Sequence, residues 1–201
     1  MKKSKSNCYS SKELAFMEWG QNVRQRIMKL LLHICTAYSI TANHITLGAF
    51  IAGALGALAL LYSPWLGIGL ICIHVILDGV DGPLARYTNT DSNKGSFADT
   101  FSDQIVIALV CFVLIEMDTI SAASGLIYIL SYIIVVGFAM VRNALNVPYS
   151  WLVRPRFFVY LWIPFELFIF NGTMIYVLYA FSFLLCIKVY TGFLSIYKNL
   201  S

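Results

Sequence analysis

Eight residues between Asp78 and Asp103 have types and spacings that suit one kind of chemistry. Asp78, Asp81, Gly82, Ala85 and Arg86 form the pattern D-x-x-D-G-x-x-A-R, and eight residues later Gly95, Asp99 and Asp103 form G-x-x-x-D-x-x-x-D. At average residue frequencies the whole pattern would arise at a given start position with a probability on the order of 10⁻¹⁰, so accident does not explain it. If each half is helical, spacings of three and four put Asp78, Asp81, Gly82 and Ala85 on one face, and Gly95, Asp99 and Asp103 on one face of the next helix. Four carboxylates then face one cleft. Such charges repel unless a cation neutralises them, and hard oxygen ligands select Mg²⁺, Mn²⁺ or Ca²⁺ over zinc.

The elements that must position these residues are membrane helices. The chain is 59% hydrophobic and 12% charged, against roughly 45–50% and about 25% in an average soluble domain. Apolar windows near the roughly 20 residues that a span needs run over 44–62, 65–86, 97–117, 121–141, 156–171 and 173–197. The expected fold is therefore all-α and integral to the membrane, with six transmembrane helices. The fifth is expected to tilt or kink, because it is short, contains Pro164 and carries Glu166. Lysines and arginines fall in the N-terminal arm, the 87–96 loop, the 142–156 loop and the C-terminal end, and the loops at 63–64, 118–120 and 171–172 contain none. The positive-inside rule then places both termini, the carboxylate cleft and Arg142, Arg154 and Arg156 on the cytoplasmic side of a multi-pass protein of the inner (cytoplasmic) membrane.

Residues 1–43 read as a basic arm followed by an interfacial helix, and 44–201 as one catalytic membrane domain. No compact apolar stretch with a small-residue cleavage site follows Lys2, Lys3 and Lys5, so a secretory signal is not expected. Phe16, Trp19, Val23, Ile27, Leu30 and Leu31 recur at helical spacing opposite Lys12, Arg24, Gln25 and Lys29. That pattern suits an amphipathic helix lying on anionic lipid or packed on the protein's own surface. Five scattered cysteines with no C-x-x-C pair indicate neither a disulfide framework nor a zinc site. Gly48, Ala52, Gly53, Gly56 and Ala57 are expected to allow close helix packing. His74, one turn before Asp78, reads as a packed or hydrogen-bonded histidine. Asp91 reads as a solvated charge and Glu116 as an outer-interface residue. Glu166 is divided between a structural hydrogen bond and a lipid- or partner-facing role.

The residues from Asp78 to Asp103 resemble the signature of the CDP-alcohol phosphatidyltransferase family, with every fixed position present at the family spacing. The resemblance implies phospholipid synthesis: a substituted phosphoryl group passes from a CDP-alcohol to a hydroxyl, with release of CMP. It implies two divalent ions, Mg²⁺ or Mn²⁺, at Asp78, Asp81 and Asp99, with Asp103 beside them as a further ligand and as general base. It assigns Asp78, Gly82, Ala85, Arg86 and Gly95 to the nucleotide surface and suggests a homodimer. Small residues at Gly82, Ala85 and Gly95 remove bulk where a base and ribose could approach, and Arg86 can fork onto a phosphate. Thr41-Ala-Asn-His-Ile-Thr46 resembles the stretch before the first span of many relatives, although Ala42 stands where proline is usual. Asn43 and Thr46 are expected to serve the nucleotide or acceptor site.

A cleft opening at the membrane surface suits a lipid-tailed donor, CDP-diacylglycerol, taken from the surrounding membrane lipids. A soluble CDP-alcohol used on diacylglycerol is the other direction of delivery. Arg142, Arg154 and Arg156 resemble the basic positions that phosphatidylinositol phosphate synthases of the family use, which favours an anionic small polar acceptor such as inositol phosphate or glycerol 3-phosphate. Ser195 stands where a third basic position is expected. The alternative acceptors are neutral: inositol, serine or an amino alcohol. Two rival classes are weaker. A prenyltransferase would want Asn in place of Gly95 and a second aspartate-rich motif, and a divalent-cation transporter would want its carboxylates near the midplane of a path open on both sides. No nucleic-acid partner is indicated.

Overall fold

The computed structural model describes residues 28–151 and 154–200, and all the regular structure among them is helical. The elements are α1 (Met28–Ala37), α2 (Ala42–Ala59), α3 (Pro64–Tyr87), α4 (Asn93–Glu116), α5 (Ala122–Ala144), α6 (Arg156–Phe168) and α7 (Met174–Asn199). Five of them, α2, α3, α4, α5 and α7, are long and apolar enough to cross a bilayer.

Local chemistry starts these helices. Thr41 and His44 form a reciprocal cap on α2, the hydroxyl accepting from the His44 N–H at 3.3 Å while His44 Nδ1 accepts from the Thr41 N–H at 3.3 Å. This cap fixes the start of α2, with Ala42 as its first residue. Pro64 opens α3, where a missing N–H costs nothing. The Ser92 and Ser121 hydroxyls accept from the Gly95 and Ser124 N–H groups to open α4 and α5.

Small residues then set how closely the helices pack. Ala52, Gly53, Gly56 and Ala57 are buried on α2, and a Cβ on Gly56 would lie 2.9 Å from the Ile71 backbone nitrogen of α3. Gly48, by contrast, has only ordinary contact space around it. α2 lies along α3, α5 along α7, and α4 touches both α2 and α5. The main core runs through Val106, Val110, Leu114, Tyr128, Val135, Ile163, Leu178 and Leu185. Outward-facing Leu55, Ile76, Phe112, Leu130 and Phe183 are exposed, the pattern of a protein solvated by lipid.

Leu32 and Cys35 of α1 bury against Val80 and Leu84 of α3, while Leu30, Leu31 and Ile34 face outward. This part of the N-terminal helix packs on the protein and also presents an apolar face. The amphipathic pattern over Lys12, Phe16, Trp19, Val23, Arg24, Gln25 and Ile27 lies outside the described residues.

The fifth window forms a helix of only 13 residues with Pro164 inside it. At 1.5 Å per residue it is roughly 20 Å long, against about 30 Å of hydrocarbon. Its shortness follows from where it starts. Arg156, its first residue, pairs with Asp78 near the middle of α3, and Phe168, its last, stacks at 4.3 Å on Trp65 at the opposite end of α3. The helix therefore begins at the depth of the aspartates.

Glu166 closes this hairpin. Its carboxylate accepts from the N–H groups of Gly172, Thr173 and Met174 at 2.5, 2.9 and 2.6 Å and from the Thr173 hydroxyl at 2.9 Å, so it caps the start of α7 from α6. A buried carboxylate on a helix N-terminus is stabilised by those donors and by the dipole. Its role is the structural one. Glu166→Gln, which aims an NH₂ group at donors, is expected to lower stability by about 1–3 kcal/mol, read as an earlier unfolding midpoint in detergent.

Candidate metal and substrate site

Each half of the motif lies on a helix, so the three-and-four spacing becomes a shared face. Asp78 and Asp81 project from α3, Asp99 and Asp103 from α4. Asp78, Asp99 and Asp103 each bring one carboxylate oxygen to within 4.8 Å of the other two. Three hard oxygens converging in a partly buried setting fit a divalent cation of the Mg²⁺ or Mn²⁺ type.

Asp81 is placed differently. It is buried, accepting from the Thr46 hydroxyl at 2.7 Å and from the Gly82 N–H at 2.5 Å, and its side chain meets Asp99. Asp81 thus joins the cluster through Asp99 while tying α2 to α3. Thr46 thus touches the cluster through Asp81. Asn43 lies near the start of α4, its Oδ1 3.9 Å from where a Cβ on Gly95 would be. A Cβ on Gly82 would meet the Arg86 guanidinium at 3.4 Å, an ordinary contact. Ala85, half-buried, follows one turn after Asp81 on the same face.

The three arginines separate. Arg156, 4% exposed, places Nη2 3.1 Å from Asp78 Oδ2 and Nη1 on Asp103. Arg154 lines a narrow polar pocket with Arg156, Asp99, Thr100, Asp103, Gln104, Tyr132 and Val136. Arg142 is not among the residues around that pocket. Its Nε donates to the Val147 carbonyl at 2.8 Å and its Nη2 to that of Pro148 at 3.3 Å, and its guanidinium lies 4.0 Å over the Tyr149 ring. Arg142 holds the loop that leads to Arg154 and Arg156. Tyr149 anchors that loop on α7 by donating to the Lys188 carbonyl at 2.9 Å. Burial pushes the Tyr149 phenol up, against the pull of Arg142, which keeps it a donor.

His74 is buried, with Nδ1 3.0 Å from the Ala49 carbonyl, as expected of a hydrogen-bonded histidine. A carbonyl only accepts, so Nδ1 carries the hydrogen and Nε2 faces Asp103 at 4.0 Å. Gln104 and Tyr132 escaped the sequence reading. Gln104 carries a signal, a polar residue directly after Asp103 in an apolar run, whereas Tyr132 is one aromatic among many on α5. Gln104, Thr100 and Val136 also line a groove of about 500 Å³ between α4 and α5, walled by Phe97, Phe101, Ile105, Phe112, Ile133 and Met140. Polar pocket and apolar groove thus share a wall.

A helical membrane protein with converging carboxylates beside arginines, in a pocket that shares a wall with an apolar groove, has the parts of an enzyme class that works on lipid phosphates. Residues 39–193 match the family described as CDP-alcohol phosphatidyltransferase, and the chain belongs to that family. It is 37% identical over 81 residues to the archaetidylinositol phosphate synthase of Aeropyrum pernix, covering 40% of this chain and 42% of that protein. It is 34% identical over 88 residues to the bifunctional IPC transferase and DIPP synthase of Thermococcus kodakarensis, covering 43% and 19%. The protein of that name from Archaeoglobus fulgidus is 39% identical over 67 residues, covering 33% and 14%. The chain thus spans less than half the length of each of these relatives.

Proposed function

We propose that this protein transfers a phosphatidyl group from a CDP-linked lipid, CDP-diacylglycerol, to a hydroxyl of a phosphorylated polyol such as inositol phosphate or glycerol 3-phosphate, releasing CMP. The observation that carries this is the convergence of Asp78, Asp99 and Asp103 beside a pocket lined by Arg154 and Arg156. The names of the relatives from Aeropyrum pernix and Thermococcus kodakarensis point to the same class of acceptor.

In this scheme Asp78, Asp81, Asp99 and Asp103 would hold two divalent ions, which would supply charge neutralisation on the phosphate oxygens of donor and leaving group. Asp103 takes the proton from the attacking hydroxyl, whose oxygen bonds to the lipid-linked phosphorus as the bond to CMP breaks. Gly82, Ala85, Arg86, Gly95, Asn43 and Thr46 face the cytidine nucleotide, with Arg86 forking onto phosphate. Arg154 holds the acceptor phosphate, and Arg142 positions the loop that carries it. The groove between α4 and α5 suits a lipid-tailed donor.

We infer the orientation from charge. Both termini face the cytoplasm, and α6 is the fifth of six crossings, since the basic ends of α5 and α7 belong on one side. Its 13 residues suffice because its first residue, Arg156, already lies level with Asp78, partway along α3. Cysteines introduced at Ser63 and Ser121 are expected to label from outside intact cells and one at Asn93 not to, once native thiols are removed; the reverse pattern inverts the topology. The family resemblance also makes a homodimer the expected assembly.

The experiment that tests the reaction offers CDP-diacylglycerol and a panel of acceptors to the purified protein and reads CMP release. Release is expected with phosphorylated polyols, at least tenfold above neutral alcohols. Release only with choline- or ethanolamine-type CDP donors on diacylglycerol would reverse the direction of delivery.

A further inference from the structure

We propose that Arg156 couples metal binding to anion binding: with no cation in the cleft its guanidinium bridges Asp78 and Asp103, and on divalent-ion loading it is released to pair with a phosphate-bearing acceptor. The proposal rests on the metal-dependent transfer described above and adds the order in which its ligands bind.

The position of Arg156 is the starting point. Both terminal nitrogens are on carboxylates that belong to the converging set, Asp78 and Asp103. Its Nε has no hydrogen-bond partner among the described residues, so the two aspartates provide its polar anchorage. A guanidinium this buried stays only where carboxylates hold it. Four aspartates against one arginine leave a formal charge of −3, whereas two divalent ions match four carboxylates without the arginine. Arg156 and a divalent ion therefore want the same two carboxylates, and together they would place cations side by side at short range. Arg156 also lines the polar pocket with Arg154. Freed of Asp78 and Asp103, it adds a second guanidinium where an anion would sit, and anion binding becomes conditional on metal. Linkage makes the effect reciprocal: an acceptor phosphate that holds Arg156 away from the aspartates tightens metal binding by the same factor. A merely structural ion pair would do neither.

The test uses the wild-type full chain in detergent. Phenylglyoxal, a guanidinium-reactive dicarbonyl, is applied in chelator, in Mn²⁺, and in Mn²⁺ with glycerol 3-phosphate, and modification of Arg156 is read by peptide mass spectrometry. Bound Mn²⁺ is read in the same samples by electron paramagnetic resonance. Arg156 is expected to label at least fivefold faster in Mn²⁺ than in chelator, and to be protected again by glycerol 3-phosphate only when Mn²⁺ is present. In parallel, Arg156→Gln is expected to bind Mn²⁺ on the order of tenfold tighter than wild type and to lose the tightening by glycerol 3-phosphate. Labelling that ignores Mn²⁺ while Mn²⁺ is bound overturns the coupling and leaves the metal site standing. Absence of bound Mn²⁺ overturns both. If Arg156→Gln fails to fold, the wild-type labelling decides alone.

Discussion

Asparagine at Asp99 is expected to take CMP release below detection and to weaken Mn²⁺ binding by more than the roughly 10–100-fold that follows loss of a hydrogen bond merely supporting a ligand. Asp99 is the hinge of the cluster: its oxygen converges with those of Asp78 and Asp103, and its side chain also meets Asp81. An amide is a poor ligand for a hard cation, so the change removes binding while leaving shape nearly intact. Asp78→Asn is expected to behave alike. Asp81→Asn separates two possibilities, because Asp81 already accepts from Thr46 and Gly82. A loss within the 10–100-fold range makes it a support for Asp99, and a loss as deep as that of Asp99→Asn makes it a ligand. Asp103→Asn is expected to lose transfer and to loosen Mn²⁺ as well, since its carboxylate lies inside the converging set; wild-type Mn²⁺ affinity there would leave proton removal as its sole task. Full CMP release in chelator would falsify the metal scheme altogether.

What could be read from residues alone was whatever depends on spacing along one helix. The aspartates at three-and-four spacing, the small stripe on α2 and the apolar windows all became helical faces, because periodicity is a local property. The partners of those faces were not legible. Nothing local to Arg156 says that its guanidinium bridges Asp78 and Asp103, and a rule for the charge of loops names no contacts. Arg142 shows the same limit in reverse, being occupied by the carbonyls of Val147 and Pro148 in its own loop. The length of α6 was also hidden. Hydropathy continues through 156–171, but the helix ends at Phe168 because Glu166 turns back to cap α7, a pairing fixed by the turn at Gly172, where φ is +85°. Glu166, divided on sequence between a structural hydrogen bond and a lipid- or partner-facing role, is the cap that ends one helix and begins the next.

Replacing Arg154 with alanine is expected to raise the apparent KM for a phosphorylated acceptor by tenfold or more and to leave the CDP-lipid KM within twofold. A charged hydrogen bond is worth about 1.5–3 kcal/mol, and its loss from ground-state binding appears in KM. The placement of the arginines sharpens the comparison. Arg154 lines the polar pocket itself, so its effect should fall on the acceptor alone. Arg142 acts through the loop from Val147 to Tyr149, so Arg142→Ala is expected to lower kcat as well, because a shifted loop displaces both pocket arginines. Neutral alcohols supply the control: with inositol or serine as acceptor, Arg154→Ala should change little, since no anion is there to lose its partner. Should both changes leave the kinetics of every acceptor unaltered, the two arginines serve only to orient the chain in the membrane, and the acceptor is a neutral alcohol recognised by uncharged groups such as Gln104 and Tyr132. Gln104 would then be the first residue to change, because its side-chain carbonyl is buried without a hydrogen-bond partner among the described residues, at the wall shared by pocket and groove, where a hydroxyl donor would satisfy it.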